Sequence, residues 1–197
     1  MPAPLRPLLI YVHGFQSSSQ AEKAQETRSF LEKQGLSIDF AAPTLSNYPQ
    51  ESYRQLQVLI EQNQPRQMAL MGSSMGGFTV TALAQHYGLP AVIINPAVRP
   101  YELMNSLLGH HTNPYTGVTF TLRDRHVEEL QHMEVVKINH PSRLLVLLQT
   151  GDEVLDYQKA VEFYGACPQV VEEGGDHRFQ NFEKHLPDVI KFLELAS

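Results

Sequence analysis

The sequence holds a single cysteine, Cys167, and no tryptophan. One thiol cannot close an internal disulfide, and it excludes a multi-thiolate metal site; this suits a reducing compartment. Long apolar runs are absent as well. The run at Leu8–Val12 is followed directly by His-Gly, too short for a signal-peptide core or a membrane span. No secretory leader and no membrane span are therefore expected, and a cytoplasmic location is the default. Positive charge is scarce: 15 Lys and Arg against 21 Asp and Glu leave a net charge of −6, with the cations scattered along the chain. Nucleic acid demands a clustered positive footprint, so it is not an expected partner.

What is present is an ordinary globular composition, 42% hydrophobic and 18% charged over 197 residues. That is enough chain to bury one core, and no stretch is polar enough to read as disordered. One domain over residues 1–197 is expected.

Short β-rich runs alternate with longer amphipathic ones. Strands are predicted at 8–12, 36–41, 67–71, 91–95, 143–149 and 169–172, most of them continuously apolar, as in strands buried on both faces. Helices are predicted at 19–34, 49–64, 75–87, 156–164 and 179–195. The first opens on a Ser19/Glu22 capping box and stops at Gly35; the last is bent at Pro187. Such alternation implies right-handed βαβ units and a mostly parallel sheet with helices on both faces. Residues 96–141 interrupt the rhythm with helical material at 101–108, a turn at 113–117 and an amphipathic segment at 123–133. A long insertion after a central strand is read as a small helical cap over a site. Its plainer reading is a crossover with two surface helices.

The chemistry centres on Gly72-Ser73-Ser74-Met75-Gly76. A glycine-framed serine between an apolar strand and an apolar helix sits on a strained turn that pushes its hydroxyl outward. Ser74 occupies the framed position and Ser73 the variable one, so Ser74 is the candidate nucleophile. A serine hydroxyl needs a base, and in this arrangement the partners follow in the order serine, acid, histidine. Thr150-Gly151-Asp152 follows one predicted strand and Gly175-Asp176-His177 follows the next. Asp152 is the candidate acid and His177 the candidate base. Asp156 is read as a helix cap and Asp176 as a turn residue. The other histidines, among them His86, His110, His111, His126, His132, His140 and His185, lie away from that final strand end. Adjacent His110 and His111 rarely converge on one ion, and no third ligand is placed beside them, so no metal is expected.

His13-Gly14-Phe15 directly after the first strand suits an oxyanion-binding loop, with the Phe15 and Met75 amides as donors. His13 is then a loop-ordering residue. Phe15, Tyr101, Leu107 and Leu108 are candidate acyl-pocket residues that would serve equally well as ordinary core, and His13 is a candidate substrate contact.

With these residues identified, the chain resembles the YqiA-like esterases, a family of small bacterial α/β-hydrolases. The likeness rests on Tyr11-Val12-His13-Gly14-Phe15, the Met71–Gly77 block and Asn95-Pro96-Ala97-Val98-Arg99-Pro100-Tyr101. It rests also on Asn113-Pro114-Tyr115-Thr116-Gly117, the 149–157 block and Glu173-Gly174-Gly175-Asp176-His177. The resemblance implies an α/β-hydrolase fold and hydrolysis of carboxylic esters, acyl thioesters included, through Ser74, Asp152 and His177. It implies no metal or organic cofactor. A small-molecule ester is the expected substrate, and a monomer or small homo-oligomer the expected state. The competing readings are an acyl-CoA thioesterase using the same residues and a ligand-binding homologue without turnover.

Overall fold

The computed structural model describes residues 5–195, so the extreme ends of the expected 1–197 domain lie outside the described residues. In chain order the first half runs β1 (Leu8–Val12), α1 (Glu22–Lys33), β2 (Asp39–Ala41), α2 (Pro49–Gln62), β3 (Met68–Ser74), α3 (Met75–Tyr87) and β4 (Ala91–Pro96). Then come α4 (Pro100–Met104), β5 (Gly109–Thr112), β6 (Thr119–Leu122) and α5 (Asp124–His132). The chain finishes with β7 (Leu144–Gln149), α6 (Tyr157–Phe163), β8 (Gln169–Glu172) and α7 (Leu186–Phe192).

Six strands form one sheet in the order β2-β1-β3-β4-β7-β8, and every neighbouring pair is parallel. Because side chains alternate across a strand, the apolar runs feed two cores at once. Ile10, Leu70, Ile93 and Val146 point to the side packed by Leu56 and Ile60 of α2, Leu83 of α3 and Ala160 of α6. Leu9, Ala69, Val92 and Leu147 point to the other side, against Ala24 and Leu31 of α1 and Val189 and Ile190 of α7. The chain steps outward from β1 to β2 and returns to the opposite side of β1 as β3. That reversal opens a crevice at the carboxyl ends of β1 and β3, where parallel sheets bind ligands.

Three expectations need correction. The segment 96–141 is not all helix and turn: β5 and β6 pair as an antiparallel hairpin, His111 opposite Phe120. His110 and His111 are thus strand residues. Thr119, Thr121 and Phe120 are sound strand formers, but with only four residues a side the segment shows too little alternation to be read. The N-cap of α1 is Ala21 with no side-chain cap, not Ser19, whose hydroxyl accepts from Thr44. The expected helix 179–195 becomes α-helical only at α7, after a turn and a short 3-10 helix (Phe182–Lys184), since Phe179 and Asn181 take positive φ of 60° and 58°. Pro187 sits in the first turn of α7 and starts the helix instead of bending it. Asp156 caps α6 as read, accepting from the Gln158 amide at 2.9 Å.

A third apolar cluster lies over the crevice, built from Phe78 of α3, Met104 of α4, Phe120 and Leu122 of β6, and Val127 and Leu130 of α5. It ties the 96–141 segment to the start of α3. Below it, α3 starts hard against β1: a Cβ on Gly76 would lie 2.1 Å from the Val12 carbonyl oxygen and 2.7 Å from that of His13. These are backbone atoms that cannot rotate aside. Gly76→Ala is therefore expected to lower the unfolding free energy by about 3 kcal/mol, the upper end of ordinary overpacking costs. Urea denaturation beside the wild type reads this, and equal midpoints would refute the close approach.

Candidate active site

β3 passes into α3 with no loop between them. Ser74 makes the turn with φ 55° and ψ −124°, a conformation that L-residues rarely adopt. Two glycines allow it. Gly76 admits the end of β1, and Gly72 faces Gly76 and Val80, where a Cβ would lie 2.5 Å from the Gly76 oxygen. The Ser74 carbonyl is taken up by the Ala97 amide at 3.1 Å. The loop after β1 then lies across the serine. A Cβ on Gly14 would be only 3.3 Å from that of Ser74 and 3.7 Å from its Oγ. Among the described residues, neither the Phe15 nor the Met75 N–H has a partner in the turns, loops and caps.

Ser74 Oγ lies 3.0 Å from His177 Nε2, and His177 Nδ1 lies 3.0 and 2.9 Å from the two Asp152 oxygens. Asp152 is almost wholly buried, its side chain 2% exposed. Burial works to raise its pKa, but the hydrogen bonds from His177 and from the Leu155 and Val154 amides prevail and hold it below the usual carboxylate value. An ionised Asp152 accepts the Nδ1 proton of the imidazole, which leaves Nε2 free to accept the Ser74 hydroxyl proton.

Sequence reading missed the residues that hold the histidine loop. Asn95, buried at the end of β4, donates from Nδ2 to the carbonyls of Asp176 (3.0 Å) and His177 (3.2 Å) and accepts the Gln149 amide at 3.0 Å. Gln149 at the end of β7 accepts the Asp176 and Gln180 amides through Oε1 and donates through Nε2 to the Gln180 carbonyl. Lys23 of α1, also buried, donates to the Arg178 carbonyl. Burial lowers its pKa, opposed by nearby Glu26, Glu22 and Asp176. The available signal was a polar residue closing each of two apolar strands: Asn95 before Pro96, and Gln149 before Thr150-Gly151-Asp152. Lys23 gave none.

His13 is buried with both nitrogens used. Nε2 accepts the Leu45 amide at 3.1 Å and Nδ1 donates to the Gly14 carbonyl at 2.9 Å. Burial lowers its pKa, so the neutral form suits this role, and no donor or acceptor is left for a substrate. Tyr101 and Leu107 pack on the third apolar cluster, Tyr101 donating to Glu134 at 3.0 Å, and Leu108 is exposed. None of the three lines the cavity at Ser74. That cavity, about 570 Å³ and open to solvent, is walled instead by Phe15, Gln20, Lys23, Tyr115, Arg178 and their neighbours. Ser73 lines it as well, its hydroxyl 2.9 Å from Tyr11. Burial raises the Tyr11 pKa to about 12, so the phenol stays protonated. His110 and His111 bond to Thr121 and to the Leu107 carbonyl. Among the described residues no group of three or more metal-ligating side chains gathers, and no helix is long and apolar enough to cross a membrane.

Comparison with known proteins adds a family and a fold. The model of a family described as "Uncharacterised protein family (UPF0227)" matches residues 8–194. A UPF0227 protein of Serratia proteamaculans (strain 568) is 25% identical over 191 residues, covering 95% of this chain and 99% of its own length. Among solved structures, Est1E from Butyrivibrio proteoclasticus with ferulic acid bound superposes with a TM-score of 0.73 at 17% identity, covering 98% of this chain and 91% of that one. Alpha/beta hydrolase domain-containing protein 10 from mouse gives 0.73 at 16% identity, covering 95% and 89%. The fold is that of the α/β-hydrolases, as expected from the sequence, and the family match bears out the resemblance.

The depressed Asp152 pKa has a consequence for stability. A carboxylate favoured in the folded state stabilises it fully above the unfolded pKa, near 3.9, and ceases to do so as pH falls through the lower folded value. Asp152→Asn should accordingly be less stable than wild type at pH 7, with the gap closing below about pH 4. Urea denaturation of both proteins from pH 3 to pH 7 checks this; a gap that stayed constant would show that ionisation of Asp152 is not what stabilises the loop.

Proposed function

We propose that this chain, which belongs to the UPF0227 family, is a serine hydrolase of carboxylic esters. Ser74 is the nucleophile, His177 the general base, and Asp152 the acid that orients the imidazole. The observation that carries this reading is the unbroken series of contacts, 3.0 Å from serine to imidazole and 2.9 Å from imidazole to carboxylate; among the described residues the Met75 amide at the strained turn and the Phe15 amide in the loop after β1 have no backbone partner in turns, loops or caps. A binding protein has no use for backbone strain of this kind.

In the first step Ser74 Oγ attacks the ester carbonyl and its proton passes to His177 Nε2. The carbonyl oxygen takes up the charge between the Phe15 and Met75 amides, each donor supplying about 3 kcal/mol in such sites. Collapse of the tetrahedral intermediate breaks the bond to the alcohol, which leaves with the proton from Nε2, and Ser74 holds the acyl group. Water repeats the sequence and releases the acid. Asp152 retains its charge throughout and stabilises the imidazolium in both steps.

A pocket of about 40 Å³ lined by Val12, Leu45, Tyr48, Met75, Met104 and their neighbours lies beside the same loop. An acyl group seated in this small pocket would have to be short. The 96–141 segment serves as the cap, its Pro114 and Tyr115 walling the larger cavity. One observation favours a thioester as the second reading: Arg178 is exposed on the wall of that cavity, where it would suit an anionic leaving group.

Ser74→Ala and His177→Ala are each expected to lower kcat for a short-chain aryl ester by at least about a thousandfold. A fluorophosphonate probe should add its mass to Ser74 in the wild type only. Folded wild-type protein that neither turned over nor took the label would overturn the serine-hydrolase reading and favour a ligand-binding role. Parallel assays with acyl-CoA substrates separate ester from thioester.

A further inference from the structure

We infer that Asn113 is a positioning residue for the oxyanion loop: from the turn of the β5–β6 hairpin it fixes the backbone segment that carries the Phe15 amide. This rests on the serine-hydrolase reading and extends it to the 96–141 segment.

Asn113 is only 2% exposed, and its amide group is fully used. Oδ1 accepts the Tyr115 amide at 2.9 Å and the Thr116 amide at 3.1 Å, which is the ordinary way an asparagine closes a turn. The turn is closed again by the backbone, the Asn113 amide donating to the Val118 carbonyl and the Gly117 amide to the Asn113 carbonyl, both at 2.9 Å. Turn chemistry has no need of Nδ2. Both of its hydrogens go elsewhere: one to the Ser17 carbonyl at 3.1 Å, the other to Asn47 Oδ1 at 3.0 Å. A buried side chain thus joins the hairpin to two loops that lie far away in sequence.

Ser17 stands two residues past Phe15, in a stretch without regular structure where Gln16 takes a positive φ of 52°. The hairpin grips it twice. Asn113 holds the Ser17 carbonyl, and the Phe15 ring meets Phe120 edge-on at 5.9 Å and His111 at 6.1 Å between centroids. On its other side His13 is tied to Leu45. The Phe15 N–H lies between these fixed points. An oxyanion donor must be held to within about 0.5 Å of its working position, and a misplacement of about 1 Å costs up to a hundredfold in rate.

The test measures kcat and KM for the aryl ester per active site titrated with the fluorophosphonate, so that a smaller folded fraction does not register. Asn113→Ala should lower kcat about ten- to a hundredfold, with KM changed less than about threefold. Asn113→Asp keeps the acceptor for Tyr115 and Thr116 but offers no donor to Ser17, and it should lose the same. Affinity for an aryl boronic acid, whose tetrahedral adduct on Ser74 places an oxygen between the two amides, should fall in proportion to kcat/KM. Wild-type kcat per titrated site in either Asn113 variant would confine this residue to turn formation and overturn the proposal while leaving the serine-hydrolase reading intact. Wild-type protein without turnover or label would overturn both. Should neither variant fold, Asn47→Ala decides: it leaves the turn alone and should lower kcat a few-fold, and unchanged kcat there overturns the proposal.

Discussion

The Val12 carbonyl and the start of α3 approach so closely that no side chain fits at Gly76, and the candidate site is arranged around that contact. It brings the end of β1 beside the end of β3, so that the loop leaving β1 has to cross the serine. It also sets how sharply β3 must turn into α3, and the left-handed backbone of Ser74 is the result. Conformations of this kind cost about 1–3 kcal/mol and persist only where their surroundings fix them. Here the fixing is extensive: β3 is paired on both sides, and α3 is buried at nine successive positions, Gly76 to Ala84.

Asp152 and His177 need a different kind of support, because they sit on loops past β7 and β8 at the β8 edge of the sheet. Polar side chains supply it. Asn95 and Gln149 meet backbone groups of the histidine loop from inside the sheet, and Lys23 meets it from α1. Between them they occupy the carbonyls of Asp176, His177, Arg178 and Gln180 and the amides of Asp176 and Gln180. The imidazole is therefore set by backbone and carboxylate together, and little of its orientation depends on its own rotamer preference.

Much of this was legible in the sequence for physical reasons. Apolar runs of strand length are unmistakable when both faces are buried, and Leu8–Val12, Ala91–Ile94 and Leu144–Leu148 are all such runs. The glycine frame around Ser74 is readable because close backbone approach admits no other residue. Asp152 and His177 could be named from their order and their places after strands. The hairpin was not legible, since its strands have four residues each and its apolar Phe120 and Leu122 face a local cluster instead of the main core. Of the candidate acyl-pocket residues, Tyr101 and Leu107 pack on the third cluster, the ordinary-core alternative, and Leu108 is exposed; apolar character alone does not say what a side chain packs against. Asn113 was quoted only as part of a motif. Its Oδ1 half follows from turn chemistry, but the partners of Nδ2 are far away in sequence and no local pattern encodes them.

The sheet order carries one more implication, which concerns time. From β3 outward the strands are added strictly in the order in which they are synthesised, β4, then β7, then β8. Ser74 and its strained turn can enter a sheet already paired through β1 and β4 before β7 and β8 have been synthesised. The His177 imidazole reaches the Ser74 hydroxyl only once β8 has docked along β7. The contact between the two side chains is therefore made later than the strained turn on which Ser74 sits.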